Sequence, residues 1–168
     1  MQDARAQLLS CIPRLRRYAR ALVGERTGAD DLVQDTMERG WHKLSSWQRG
    51  SDMRAWLFGI MHNLHVDQIR KPSVPIEVLD DDTPIPFINA SQMDGLEIRD
   101  MESALRLLPD GQREILLLIA LEEMTYEEVA ATLGIPMGTV MSRLFRAREK
   151  LRASMEGRTV VSPLKVVK

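Results

Sequence analysis

Six side chains between residues 139 and 148 have the chemistry to hold nucleic acid: Thr139, Ser142, Arg143, Phe145, Arg146 and Arg148. Hydroxyls and guanidiniums supply the donors that phosphate oxygens and base edges accept. They share a stretch with Val140, Leu144, Ala147 and Leu151, which recur at a helical period and mark a buried side. From spacing alone, a helical hairpin with a solvated basic face competes with a DNA-reading helix. A second pair of reactive groups is His62 and His65, three apart, which places two imidazoles within reach of one metal. No Cys, Glu or third His completes a ligand set at suitable spacing, so these histidines are expected to be solvated or near phosphate, with no metal site. No glycine-rich nucleotide loop, nucleophile triad or paired acid–base motif is present, so neither catalysis nor a cofactor is expected.

The elements that position the basic residues are legible from Met124 to Arg152. Thr125 and Glu128 form a capping box, in which each side chain satisfies a backbone N–H at the start of a helix. Met124 and Val129 stand where a hydrophobic staple packs, and Val129, Ala130 and Leu133 form a narrow apolar stripe. Gly134 supplies the left-handed turn that ends this helix. Pro136, which has no N–H to donate, suits the start of the next one. A short helix, a glycine turn and a basic second helix make a helix-turn-helix, whose second helix enters the major groove.

The rest of the chain also reads as helical. Hydrophobic residues make up 44% and aromatics 5% of the 168 residues, enough for a core but poor in strand formers. Leu8, Ile12, Leu15, Ala19 and Leu22 predict an amphipathic helix from Ala4 to Val23, with Pro13 marking a kink or a late start. Val33, Met37, Leu44 and either Gly40 or Trp41 predict a second from about Ala29 to Leu44, with Thr27 or Asp30 near its cap. The connection from Ser45 to Ser51 is polar, and Trp47 within it is expected to be exposed. Met53, Leu57, Ile60 and Leu64 predict a third helix from Asp52 to Lys71. Residues 72–96 then break the pattern with four prolines and the run Asp80-Asp81-Asp82, as a linker does. Helical periodicity returns from Leu96, with Pro109-Asp110-Gly111 separating two helices before the Thr125 cap.

Charge divides along the same lines. The net charge of −1 conceals blocks of +4 over residues 1–72, −6 over 73–100, −5 over 101–135 and +6 over 136–168. The two basic blocks suit a polyanionic partner, which the total disguises. No run of about 18 apolar residues is present, so no membrane insertion is expected. The N-terminus lacks a secretory pattern and Cys11 has no second cysteine to pair with, which fits a cytoplasmic location.

The order of residues resembles bacterial RNA polymerase sigma factors of the extracytoplasmic function group. Carrying the resemblance are Thr125-Tyr126-Glu127-Glu128-Val129-Ala130, Gly134-Ile135-Pro136, Gly138-Thr139-Val140, Ser142-Arg143 and Arg146-Ala147-Arg148, with Leu108-Pro109, Arg113 and Glu114 upstream. Asp31-Leu32-Val33-Gln34-Asp35 and Trp56-Leu57-Phe58 with Ile60, Asn63, Asp67 and Arg70 extend it to the first half. It implies an all-α protein of two small domains joined by a flexible acidic, proline-containing linker. Residues 1–71 would be sigma region 2, 72–96 the linker, 97–155 the region 4 helix-turn-helix and 156–168 a tail.

It further implies that Asp31, Gln34 and Asp35 dock on core RNA polymerase, although an acidic first turn facing the helix dipole accounts for Asp31 as well. Trp56, Asn63, Arg70 and Lys71 would hold the melted downstream promoter element, with Asn63 at the pocket for a flipped base. A Trp beside a Leu stripe, as Trp56 is, is more often a core residue than a platform for bases. The second helix of the helix-turn-helix would read the upstream element, and an anti-sigma factor is an implied partner. Met141 departs from the pattern, standing where Lys or Arg is usual. Competing readings are a one-component regulator, which would carry a ligand or dimerisation domain at its N-terminus, and a sigma-like mimic that sequesters an anti-sigma factor without binding DNA.

Overall fold

A computed structural model describes residues 2–70 and 96–156; Met1, residues 71–95 (Lys71 and nearly all of the expected linker) and residues 157–168 of the expected tail lie outside the described residues. The described residues are mainly helical, with no strand among them. The helix expected over Ala4–Val23 is two: α1 (Gln2–Ser10) and α2 (Ile12–Val23). The break at Cys11 follows from Pro13, which has no N–H and is tolerated only in the first turn of a new helix. Gly24 ends α2 in the left-handed conformation, its N–H donating to the Arg20 carbonyl.

Helix α3 (Arg26–His42) starts earlier than its apolar pattern suggests. Glu25 is its extended N-cap and makes no side-chain capping bond, so neither Thr27 nor Asp30 performs that role. Gly40, not Trp41, faces inward. A Cβ added there would come 2.8 Å from Leu57 Cδ2 and 3.3 Å from Leu8 Cδ1, so glycine lets α3 approach its neighbours closely. Trp41 is exposed, with the Arg5 guanidinium 5.1 Å from its ring centroid.

A 3₁₀ turn (Leu44–Ser46) folds the chain back after α3. It carries Trp47 into the core, where it is 8% exposed, contrary to the exposure expected of a polar connection. Helix α4 (Met53–Arg70) begins where Asp52 Oδ1 accepts from the N–H groups of Arg54 and Ala55. Its Phe58 meets Tyr18 of α2 edge-on, ring centroids 4.8 Å apart.

The second half holds α5 (Leu96–Arg106), α6 (Asp110–Ala120), α7 (Tyr126–Leu133) and α8 (Met137–Met155). Arg113 ties its start together, donating to the carbonyls of Leu105, Arg106 and Leu108, to Asp110 Oδ1, and to Leu22 O at the end of α2. These bonds supply donors to the Arg106 and Leu108 carbonyls where α5 ends, and add one to the Leu105 carbonyl, which also accepts from the Leu108 N–H. The halves pack together, α6 and α5 against α2 and α7 against α4, around one continuous apolar core.

Candidate nucleic-acid interface and docking face

The helix-turn-helix forms as its residues dictate. Thr125 Oγ1 accepts from the Glu128 N–H, and Glu128 Oε2 accepts from the Thr125 N–H, closing the capping box. Met124 and Val129 are both buried, as a staple requires. Gly134 takes φ 67° and ends α7. Pro136 is the N-cap of α8, its carbonyl accepting from the N–H groups of Thr139 and Val140.

Helix α8 packs on α5, α6 and α7. Val140, Leu144 and Ala147 are buried on that side, which fixes the rotation of the helix about its axis. Ser142, Phe145, Arg146 and Arg148 are therefore exposed together. The Ser142 hydroxyl donates back to the Thr139 carbonyl at 3.3 Å, and Thr139 itself is half-buried. Arg143 is half-buried as well: a Cβ on Gly111 would stand 3.3 Å from its Nη1, so its guanidinium lies over the start of α6.

On α3, Asp31, Gln34 and Asp35 are all exposed, opposite the buried Ala29, Leu32, Val33 and Thr36. Asp35 also lines a groove between α3 and α4, together with Glu38, His42, Leu64, Asp67 and Gln68. On α4, Asn63 and Arg70 are exposed. Trp56 is half-buried and packs against the core, within 4 Å of the point a Gly40 Cβ would occupy. The candidate residues thus lie as an exposed polar, acidic patch on α3, an amide and a base along α4, and a basic face on α8, rather than in one pocket.

The histidines are neither solvated nor placed to hold phosphate. His62 Nδ1 hydrogen-bonds Glu114 Oε1 at 2.5 Å, and buried His65 turns Nε2 towards Asp110 Oδ1 at 3.5 Å. Both contacts cross from α4 to α6, a pairing that spacing within one helix does not reveal. His65, with Arg113 beside it, holds the Asp110 carboxyl below its usual range. A further residue that the sequence did not single out is Glu122, buried between the halves. Arg14, Arg17 and Arg54 approach its carboxylate at 3.5–3.9 Å, while the Arg54 guanidinium donates to its backbone carbonyl at 2.7 Å. Burial pushes the Glu122 carboxyl up, against the pull of those guanidiniums.

The described residues are mainly helical, with exposed arginines on α8 in one half and exposed acids on α3 in the other. The model for the sigma2 domain of PhyR matches residues 8–62, and that for sigma-70 region 4 matches residues 98–151. The sigma factor EcfG of Rhodopseudomonas palustris is 39% identical over 150 residues, covering 89% of this chain and 83% of the relative. SigM of Bacillus subtilis is 31% identical over 140 residues, covering 82% and 85%. Among solved structures, the sigma factor RpoE in complex with the anti-sigma factor NepR from Bartonella quintana has a TM-score of 0.75 at 36% identity, covering 93% of this chain and 98% of that one. The chain belongs to the extracytoplasmic function RNA polymerase sigma factors. It is an alternative sigma factor that directs transcription initiation, and not an enzyme.

Proposed function

We propose that the chain brings core RNA polymerase to its promoters through three surfaces. Asp31, Gln34 and Asp35 on α3 dock on the polymerase. Asn63, with Arg70, Lys71 and the exposed part of Trp56, holds the opened downstream element. The outward face of α8 reads the upstream element, with Ser142, Phe145 and Arg146 at base edges and Thr139, Arg143 and Arg148 mainly positioning phosphates. Domain extents of 1–71 and 97–155, joined by the 72–96 linker, follow from this division. The place of action is the cytoplasm, where polymerase and promoters are. No helix among the described residues is long and apolar enough to cross a membrane. An anti-sigma partner is proposed because the related RpoE was solved with one.

The observation that carries the proposal is the seating of α8: Val140, Leu144 and Ala147 are buried while Arg146 and Arg148 stand free at the surface. Replacing Arg146 by Ala is expected to cost about 1–3 kcal/mol in promoter binding and to relax sequence preference. Arg148→Ala is expected to weaken all sequences alike and to flatten the salt dependence. Binding measured against matched and altered upstream elements over a salt series checks both. Unchanged preference in Arg146→Ala would show that α8 does not dock this way.

A further inference from the structure

The apolar flank of α8 is unexplained by folding. Met141 is 51% and Phe145 66% exposed, one helical turn apart, while the residues that anchor the helix lie elsewhere around it. Met141 can offer no N–H to a base or phosphate, since its thioether is at most a weak acceptor. The one apolar group that projects from base edges into the major groove is the C5-methyl of thymine. We infer that Met141 and Phe145 form an apolar reader of thymine methyl groups in the upstream promoter element, an inference that rests on the promoter-reading role of α8 proposed above.

Position and charge both favour this occupant. Met141 and Phe145 lie in the N-terminal half of the helix, the part of a recognition helix that meets base edges. One turn rises about 5.4 Å, and stacked base pairs about 3.4 Å, so the two side chains address neighbouring steps of the duplex. Arg146 and Arg148 flank them, and residues 136–168 carry a net charge of +6, which suits a groove walled by phosphates. The apolar flank runs from Met137 through Met141 to Phe145 and then gives way to Arg148 and Arg152. The line of exposed side chains is continued by guanidiniums at Arg148 and Arg152 and bordered by Arg146, which suits a phosphate-walled groove better than the apolar face of a partner helix. Methionine, unbranched and flexible, adapts to a methyl group whose position shifts with DNA shape.

The test uses the full chain with core polymerase. A promoter library randomised in the upstream element is selected with the wild type, and each thymine of the selected sequence, on either strand, is then replaced singly by deoxyuridine. That replacement removes the methyl and leaves every hydrogen-bonding group in place. The expected result is a three- to tenfold loss in promoter competition at one or two positions, absent at those positions in Met141→Ala or Phe145→Ala and kept in Met141→Leu. Indifference of the wild type to every replacement overturns the inference. So does methyl dependence that survives in both alanine variants, including the case where Met141→Ala weakens only the grip of a protein partner. If no sequence is selected at all, the promoter-reading role falls and the methyl contact with it; a selected sequence without methyl dependence removes the contact alone.

Discussion

Arg113 uses all five guanidinium N–H groups on protein acceptors, four backbone carbonyls and Asp110. Its burial draws the guanidinium pKa below the usual range, so the arrangement is held by bonds that offset desolvation. Arg113→Ala is expected to destabilise the chain by about 3 kcal/mol, because the carbonyls at the end of α5 lose their donors. Arg113→Lys recovers little, since an ammonium cannot span that planar fork. Urea denaturation followed by circular dichroism measures both; a loss within 0.5 kcal/mol for the alanine variant, about the spread of ordinary surface changes, would contradict this account. Arg113 is visible in the sequence as part of a family string, but its partners are not, because Leu22 lies 91 residues away. Glu122 is hidden for the same reason. An acid beside Glu123 in a turn reads as solvated until Arg14, Arg17 and Arg54 are folded around it.

The elements most legible in the sequence are those whose determinants are local. The capping box of α7 needs only Thr125 and Glu128, three residues apart, and it forms as expected. The start of α3 depends instead on the turn that follows Gly24, so its apolar pattern places it late. Trp47 lies in the core, contrary to the exposure its polar connection predicts, because a 3₁₀ turn, which has no apolar period, decides its direction. Helix α3 is divided cleanly: Ala29, Leu32, Val33 and Thr36 face the core, while Gln34 and Asp35 face out. Exposed residues can be changed without disturbing packing, which makes this helix the place to test polymerase docking. Asp35→Lys combined with Gln34→Ala is expected to leave the helical circular dichroism spectrum and the unfolding midpoint unchanged. The same pair should weaken capture by core polymerase roughly tenfold, about 1.4 kcal/mol. Undiminished capture would move the docking surface off α3.

Across the whole molecule, the two basic blocks read from the sequence belong to the two halves, and the contacts between the halves were the part that could not be read. His62 with Glu114 and Arg54 with Glu122 pair across 52 and 68 residues, beyond any local pattern. The account rests centrally on one claim about the whole chain, that it joins core polymerase to a promoter and holds the strand that is opened. Neither competing reading, the one-component regulator or the sigma-like mimic, needs the second part. Asn63 is exposed on α4, away from the buried Leu57, Ile60 and Met61, so its amide is free to recognise one extruded base. The direct measurement is permanganate footprinting of core polymerase with this chain on matched duplex and pre-melted templates, wild type beside Asn63→Ala. The wild type should open the duplex at the downstream element, and the variant should open it poorly while retaining core binding. The difference should shrink on the pre-melted template, where the unpairing cost of a few kcal/mol is already met. Equal opening of the duplex by both proteins would remove Asn63 from the site, and no opening by the wild type at any selected promoter would contradict the claim itself.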